Sequence, residues 1–481
     1  MRKFLNLEMP LIRGDKTLIA MIFLLMFASL GVIFSSTGKM AFIYQGGNTW
    51  YYLLRHALLM VLSVGAMILA RYIHWKQWFK MSTILMVGAL ALSLVTAFMG
   101  DSVHGASRWF LGVQPSELIK VVTVIYVAQV LSVANNKEGC VLDSQAWVGL
   151  GLAFAVVMVI AKDNFSTAAI LGSVCLTLMF VAQVKWKILL TMLGTLVAAV
   201  SLIVLVVSVY PPAAKIGRFG TIASRITTFI GVGDKKDKDD TYQSDQASIA
   251  IARGGIIGVG PGNSEQKNYL PFPFSDFIYA IIAEEYGLLG GSGVLLVYLI
   301  ILYRVVTIAK RVLKVEGREG RSGPEIFPAL VVFGLGFMMV LQALSHIAVN
   351  IGMLPVTGQT LPLMSMGGTS QLLVGFTLGI ILDISYRYSD EGLVAEKQNS
   401  YSENAESADE SGGRHTRSNR RTVHQEDDYT VQEDERPWKD EDEYQADEEP
   451  RTINRTGLSQ QSDDDYRELE KQQRDILRKL K

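Results

Sequence analysis

The chain has 481 residues, 49% of them hydrophobic, and its mean hydropathy is positive at +0.27. Charged residues gather in short connecting segments and near the C-terminus. This excludes a soluble globular protein, whose charges would be spread along the chain, and indicates a membrane protein with a soluble tail. The net charge of −1 averages these two parts and gives no reason to expect a nucleic-acid partner, and two cysteines imply neither a disulfide framework nor a metal site.

Long apolar runs determine the predicted fold class. A helix needs roughly 20 apolar residues to cross about 30 Å of hydrocarbon, and about ten runs are long enough. They begin near Leu18, Tyr52, Met81, Ser116, Ala146, Ser166, Ile188, Phe277, Ile326 and Ser370. The sequence therefore predicts an all-α polytopic membrane protein, with a short N-terminal segment at 1–17 and a transmembrane domain at 18–388.

Basic residues lie mainly on one side of these predicted spans. That side carries Arg2, Lys3, Arg13, Lys16, Arg71, Lys76, Lys80, Lys185, Lys187, Arg304, Lys310, Arg311, Lys314, Arg318 and Arg321, whereas the opposite short loops carry Lys39, Arg108 and Lys162. By the positive-inside rule the first side is cytoplasmic, and an even number of spans places both termini there. The long loop at 211–275 is then extracytoplasmic.

The composition changes after residue 389. Ser, Glu, Asp, Arg and Gln dominate from there to residue 481, and such a segment buries too little apolar surface to fold alone. We expect a disordered, charged cytoplasmic tail. Its end, 466–481, is either a short basic amphipathic helix or a solvated tail end.

Asp276 lies where a proline-rich polar stretch becomes an apolar run, in NYLPFPFSDFIYAIIAEE at 268–285. An acid at the mouth of a membrane span indicates a functional site. The alternative is a structural role, in which Ser275 or Asp276 caps the following helix. Glu284 and Glu285 lie two turns deeper, and we expect at least one of them to face the protein interior because a charge exposed to lipid is costly.

A second polar group lies in GASRWFLGVQPSELIK at 105–120. If Pro115 begins a helix, Glu117 and Lys120 are three residues apart and share one face. This pair either lines a polar cavity or forms an interfacial salt bridge. Arg108, beside Trp109, is either an interface anchor or a clamp for phosphate oxygens.

The ninth predicted span carries a polar stripe. Gln342, His346 and Asn350 follow each other at intervals of four, which places them on one helix face. Such a stripe either joins neighbouring helices or borders a cavity. It leads into GMLPVTGQTLPLMSMGGTS at 352–370, and irregular backbone near membrane depth must be buried in protein or line a wet space. We therefore favour the cavity wall.

The glycine-rich segment GGIIGVGPG at 254–262 is not a nucleotide-binding loop. It lacks the strand-to-helix context and the final Lys-Ser/Thr of a phosphate loop. On the predicted topology it also lies outside the cell, where ATP is scarce.

These stretches together resemble the shape, elongation, division and sporulation (SEDS) family of glycosyltransferases over residues 18–388. The resemblance rests on four motifs: GASRW with QPSE and Lys120, YQSDQASIAIARGG with GVGPGNSEQKNYLP, SDFIYAIIAEEYGLLGG, and HIAVNIGMLPVTGQTLPLMSMGGTS. The loop at 260–271 is more similar to the division members of the family than to its elongation members.

The resemblance implies polymerisation of lipid II into glycan strands at the outer face of the bacterial inner membrane, at the division septum. It implies that Asp276 is the catalytic residue, which we interpret as a general base. Residues expected to bind the substrate are Arg108, Glu117, Lys120, His346, Asn350, Ser365, Thr369 and Ser370. A divalent cation at the pyrophosphate is compatible with the sequence, although no compact ligand cluster appears.

Family resemblance also implies a cognate class B penicillin-binding protein and other division-machinery proteins as partners. Two alternatives stay open at this stage. One is a lipid II translocase, because a polytopic body with an intramembrane polar stripe is also suited to moving a charged headgroup. The other is an elongation-type enzyme of the same family.

Overall fold

The computed structural model describes residues 13–99, 101–103, 106–109, 114–136, 139–140, 142–209, 238–316 and 323–394. They lie within one compact unit, Met1–Gly413, and the second unit, Arg414–Lys481, is outside the described residues. Most of the predicted N-terminal segment, much of the predicted extracytoplasmic loop and the predicted tail beyond residue 394 likewise lie outside them.

Helices make up almost all of the described chain. They are α1 Lys16–Ser36, α2 Gly38–Gln45, α3 Thr49–Arg71, α4 Trp75–Met99, α5 Pro115–Val133, α6 Ser144–Asp163, α7 Phe165–Val181, α8 Trp186–Val209, α9 Lys238–Gly254, α10 Ile278–Glu316, α11 Phe327–Asn350 and α12 Thr369–Arg387. Each predicted apolar run falls on one of these helices, and α2 and α9 are additional. The predicted helical fold class is confirmed.

Two small antiparallel pairs of strands connect helices. In the first, β1 Asp101–Val103 pairs with β2 Ala106–Trp109 between α4 and α5. In the second, β3 Asn135–Asn136 pairs with β4 Gly139–Cys140 between α5 and α6. They act as short connections and leave the helical architecture unchanged.

Within the described residues, 8 helices are long and apolar enough to cross a membrane. They are α1, α3, α4, α5, α6, α10, α11 and α12. Two further helices that match predicted runs, α7 with 17 residues and α8, are not among them. The prediction of about ten spans and of cytoplasmic termini therefore stays a prediction.

The central helices of the bundle are α5, α11 and α12. In the 18-residue apolar stretch of each of these helices, 72%, 83% and 67% of the residues are buried within the protein. The corresponding share in α1, α3, α4, α6 and α10 is 28–39%. Glycines allow close approach to α11, since a Cβ at Gly334 would meet the side chains of Val124 and Leu178. The polar stripe predicted from the sequence therefore lies on the most buried helix.

Contacts at both ends tie α1 to α10. Asp15 caps α1 by accepting the Leu18 N–H at 2.9 Å, and it also accepts the Arg304 Nε–H at 3.1 Å. Near the other end of both helices, the Ser35 hydroxyl donates to Glu285 Oε1. The two helices thus run side by side over nearly the whole length of α1.

Candidate active site around Asp276

Asp276 lies in a turn immediately before α10 and is partly buried. Its backbone N–H donates to the Phe272 carbonyl at 3.1 Å, and the Ser275 hydroxyl donates to its Oδ1 at 2.9 Å. A Cβ added to Gly358 would lie 3.6 Å from Asp276 Oδ2, an ordinary contact distance, so the loop at Gly358 lies beside the carboxylate. The carboxylate is thus held between the turn and the irregular segment that follows α11.

Asn350, the last residue of α11, supports the Asp276 turn. Its Oδ1 accepts the Ala280 N–H at 3.1 Å, and its Nδ2 donates to the Asp276 carbonyl at 3.2 Å and to the His346 carbonyl at 2.8 Å. Asn350 is fully buried. Asn350 therefore accepts the hydrogen bond from Ala280 in the first turn of α10. The sequence had suggested Ser275 or Asp276 as the residue that caps this helix.

Ser365 fastens the other side of the same turn. Its hydroxyl donates to the Ser275 carbonyl at 2.8 Å and accepts the Leu361 N–H at 2.8 Å. The neighbouring Met366 N–H donates to the Phe274 carbonyl at 3.0 Å. The irregular segment after α11 is thus packed against the residues just before Asp276, and the substrate-binding role expected for Ser365 stays a prediction.

The polar stripe of α11 holds the same irregular segment. His346 Nδ1 lies 2.7 Å from the Gln359 carbonyl, and Gln342 Nε2 donates to the Thr360 carbonyl at 3.1 Å. Because a carbonyl only accepts, His346 Nδ1 carries a proton, and its buried Nε2 has no hydrogen-bond partner among the described residues. The predicted common face of the stripe is confirmed, and its contacts are mainly with the loop backbone.

Glu117 and Lys120 form a buried ion pair on α5. Pro115 is the first residue of the helix, as predicted, and the Lys120 Nζ lies 2.9 Å from Glu117 Oε1. The ammonium also donates to Gln342 Oε1 at 2.9 Å, and the Lys120 side chain is only 1% exposed. This pair lies inside the bundle, so the alternative of an interfacial salt bridge with a snorkelling lysine is wrong.

A cavity of about 20 Å³ adjoins this pair, which is enough for one water molecule. It is lined by Glu117, Lys120, Val121, Met338, Met339, Gln342, Leu373, Val374 and Thr377. Gln342 lies two helical turns before Asn350, about 12 Å along α11 at 1.5 Å per residue. Lys120 is therefore connected to the Asp276 turn through the polar stripe and lies deeper in the bundle.

The remaining predicted site residues have different positions. Arg108 belongs to β2, and its side chain is outside the described part of the structure. Thr369 begins α12, and its hydroxyl is buried with no hydrogen-bond partner in the described part of the chain. Ser370 donates to the Gly367 carbonyl at 2.9 Å and lies 3.4 Å from the Thr360 hydroxyl. Ser370 thus supports the loop, and no described contact links it to Asp276.

Both glutamates beyond Asp276 are buried, and Glu284 organises the loop before the turn. Its carboxylate accepts the Ser264 hydroxyl and the Glu265 N–H, the latter at 3.0 Å. Arg253 Nη1 lies 3.7 Å away, and the hydrogen bond from this arginine lowers the pKa of the exposed Glu265. Sequence reasoning missed this anchoring role, for which two consecutive acids inside an apolar helix were the available signal.

Across the part of the chain that the structure describes, no three His, Cys, Asp or Glu residues gather as they would around a metal ion. Around Asp276 the described residues bring together one carboxylate, several hydroxyl and amide groups, and a deeper ion pair.

Comparison with known proteins decides the family. The family model described as "Cell cycle protein", FtsW/RodA/SpoVE, matches residues 16–390, which include every site residue described above. This chain belongs to the FtsW/RodA/SpoVE family. The resemblance found in the sequence is thereby confirmed.

Several members of the FtsW/RodA/SpoVE family resemble this chain over most of its length. One from Pseudomonas fluorescens is 30% identical, covering 79% of this chain and 88% of the relative, and one from Coxiella burnetii is 31% identical, covering 76% and 92%. One from Escherichia coli O157:H7 is 30% identical, covering 78% and 87%. All three are named probable peptidoglycan glycosyltransferase FtsW, which confirms the prediction of a glycosyltransferase.

Two solved structures have the same fold. A chain from a study of how a peptidoglycan synthase complex coordinates polymerization and crosslinking is 21% identical with a TM-score of 0.60, covering 78% of this chain and 99% of that chain. Thermus thermophilus RodA, a rod shape determining protein, is 20% identical with a TM-score of 0.53, covering 78% and 98%. The helical architecture of the family thus extends over nearly the whole of both solved chains.

Proposed function

We propose that this chain polymerises lipid II into peptidoglycan glycan strands, with Asp276 as the general base. The observation that carries the proposal is the support of the Asp276 turn by Asn350 on one side and Ser365 on the other. A fixed carboxylate at the end of a membrane helix is suited to a headgroup reaction at the bilayer surface. The family membership and the names of the relatives support the same activity.

The proposed reaction is a single inverting displacement. The 4-hydroxyl oxygen of the N-acetylglucosamine of one lipid II attacks C1 of the muramoyl sugar of the growing chain. Asp276 takes the hydroxyl proton while the bond between C1 and the pyrophosphate oxygen breaks, and the undecaprenyl pyrophosphate leaves with the electron pair. Proton transfer of this kind typically contributes about 10²–10⁴-fold to a rate.

We propose that Arg108 and Lys120 stabilise the leaving pyrophosphate. Two of the three ammonium protons of Lys120 are directed to Glu117 and Gln342. The third is available to a water molecule in the adjoining cavity, which has room for one, so Lys120 would act on the pyrophosphate through that water. Glu117 orients Lys120 in this proposal, and the polar stripe joins that ion pair to the turn that carries Asp276.

The division role, the septal location and the partner are further parts of the proposal. The relatives are named FtsW, and one solved neighbour comes from a complex that couples polymerization to crosslinking. A class B penicillin-binding protein is the partner whose transpeptidase domain would crosslink the product, alongside other division-machinery proteins. An elongation role is the competing assignment within the family.

A lipid II translocase remains the alternative activity. The polar groups inside the bundle, which are the Glu117–Lys120 pair and the adjoining stripe on α11, favour it, because a carrier binds its substrate at polar groups within the membrane. The position of Asp276 at a helix end favours chemistry at one membrane face. The two activities differ in product, since a translocase leaves lipid II monomeric.

The experiment uses the purified full-length chain with lipid II, with and without the cognate penicillin-binding protein. Wild type is expected to form glycan chains, and Asp276→Asn is expected to form none. Asp390→Asn, an equivalent exchange at an exposed acid after α12, is the control and should match wild type. Movement of lipid II across vesicles with no polymer under any condition would replace the proposal with the translocase.

A further inference from the structure

The helix α10 is broken at Gly287, just beyond the two buried glutamates. Gly287 has φ 67° and ψ −164°, values outside the helical region. A break of this kind removes the backbone hydrogen bonds that would cross it, leaving N–H groups after the glycine and carbonyls before it without helical partners. Near a membrane these groups need partners from the protein itself.

The glycine-rich loop at 254–260 supplies those partners. Leu288 and Leu289 donate their N–H groups to the Gly255 and Ile256 carbonyls at 2.9 and 3.1 Å. In return, the Val259 and Gly260 N–H groups each donate at 3.0 Å, to the Glu284 and Glu285 carbonyls. The loop and the broken helix thus complete each other's backbone hydrogen bonds.

Glycines make this fit sterically feasible. Gly258 has φ +93°, and a Cβ there would overlap the backbone of Glu285 and Gly287. A Cβ at Gly287 would overlap the backbone of Ile256 and Gly258. The motif rejected as a nucleotide loop therefore has a structural purpose, which is close packing of two backbones.

The contacts between α1 and α10 show how deep this loop lies. Asp15 meets Arg304 at one end and Ser35 meets Glu285 at the other. The length of α1 between these contacts is about 30 Å at 1.5 Å per residue, which equals the thickness of the hydrocarbon core, about 30 Å. We infer from this match that the two contacts lie at the two edges of the hydrocarbon.

The glycine-rich loop at 254–260 lies inside the edge of the hydrocarbon core that Glu285 marks. From Leu288 to Arg304 the helix is only about 24 Å long. Leu288 is therefore about one helical turn within the hydrocarbon core of about 30 Å. The carbonyls of Gly255 and Ile256, which bond to Leu288 and Leu289, must lie at that same depth.

The side chains at this depth are apolar and face outward. Ile256 and Ile257 are 69% and 77% exposed, beside Leu288 and Leu289 at 66% and 63%. Leu296 and Leu299 extend the same exposed face of α10 toward the other end of the helix. The isoleucines therefore continue a helix face that meets lipid, and acyl chains are the partner that fits them.

We propose that residues 254–260 form a membrane-embedded tip, with Ile256 and Ile257 inserted among the acyl chains of the leaflet nearest Asp276. The tip anchors the loop that leads from α9 to the Asp276 turn. This inference needs only the membrane-spanning placement of α1 and α10 and is independent of the proposed glycosyltransferase activity.

The test measures the depth of a spin label in lipid nanodiscs. Full-length chains with Cys140 and Cys175 replaced carry one new cysteine each: Ile257→Cys, Leu296→Cys as the lipid-facing control, and Asn263→Cys as the exposed loop control. Collisions with oxygen report hydrocarbon, and collisions with a water-soluble nickel chelate report solvent. We expect the label at 257 to behave as at 296, with frequent oxygen collisions and protection from nickel.

Three outcomes would overturn the proposal. Nickel collisions at 257 as frequent as at 263 would place the tip in water. Protection of 257 from both reagents would mean that protein covers the tip, and protection from both only in the presence of a penicillin-binding protein would assign the surface to that partner. The behaviour at 296 and 263 shows in each case that the cysteine-replaced chain is folded in the membrane.

Discussion

The Nδ2 of Asn350 donates to the backbone carbonyl of Asp276 at 3.2 Å, while the Oδ1 of the same amide accepts the Ala280 N–H at 3.1 Å. One buried side chain thus joins the end of α11 to both sides of the point where α10 begins. Because the amide binds backbone, it restrains the turn and leaves the Asp276 carboxylate to other partners. Asn350 is therefore a positioning residue for the proposed base.

Substitution of Asn350 should lower the turnover number more than it changes the KM for lipid II. Asn350→Ala removes the cap, a loss of about 1 kcal/mol, and displacement of a catalytic group by about 1 Å can cost about 100-fold in rate. Asn350→Asp keeps the acceptor for Ala280 but loses the donor to Asp276. Both variants should be slow in a lipid II polymerisation assay, and Asn350→Asp also turns a buried carboxylate oxygen toward the Asp276 and His346 carbonyls.

Thermal unfolding of the same two variants in detergent separates positioning from folding. Wild-type turnover in a folded Asn350→Asp chain would show that Asp276 needs no support from this amide.

The Glu117–Lys120 pair should be strongly coupled in stability. Lys120→Met leaves the Glu117 carboxylate buried without its counter-ion, and breaking a buried pair typically costs about 3–5 kcal/mol. The double variant Glu117→Leu with Lys120→Met removes both charges and should recover much of that loss. Reversible unfolding in detergent measures the three free energies. Equal losses in the single and double variants would mean that the two charges do not stabilise each other.

Gly287→Ala should destabilise the chain far more than Gly293→Ala. Alanine at Gly287 meets a positive φ and the backbone of the 254–260 loop, whereas a Cβ at Gly293 meets nothing within 4 Å. In the interior of α10, Gly293→Ala should even gain up to about 1 kcal/mol from helix propensity. The melting temperatures of both variants in the same detergent provide the measurement. A tolerated Gly287→Ala would contradict the described fit of loop and helix.

Glu284→Gln should loosen the loop that Glu284 anchors. Hydrogen bonds to a charged group contribute about 1.5–3 kcal/mol each, and proteolysis follows the population of the open loop when closing is fast. Trypsin should cut at Arg253 or Lys267 at least about tenfold faster in this variant. Glu265→Gln, at a side chain 63% exposed, is the control and should change cleavage little. Equal cleavage of wild type and Glu284→Gln would remove the anchoring role.

Local patterns allowed the helices and several contacts to be predicted. Pro115 as the first residue of α5, the Glu117–Lys120 pair and the common face of Gln342, His346 and Asn350 all depend on helical spacing, which the sequence contains directly. Whether Lys120 was buried or snorkelling could not be decided in this way. That depends on Gln342, which lies on a helix far away in the sequence.

Contacts between distant segments could not be predicted from one sequence. The bond from Asn350 to Asp276 joins residues 74 positions apart, and that from Ser365 to Ser275 joins residues 90 apart. The break at Gly287 was hidden because it lies within Ile278–Val315, a run with the length and overall hydropathy of one continuous span. Each of these features arises from tertiary packing, which spacing along one helix does not encode.

The central claim is that Asp276 is the base for glycan polymerisation. Its most direct test is the single-turnover rate of Asp276→Asn with lipid II, measured together with the affinity of the same variant for lipid II. The account predicts a rate at least about 100-fold below wild type with affinity nearly unchanged. A rate within a few-fold of wild type would contradict it, because an amide in place of the carboxylate accepts no proton from the attacking hydroxyl.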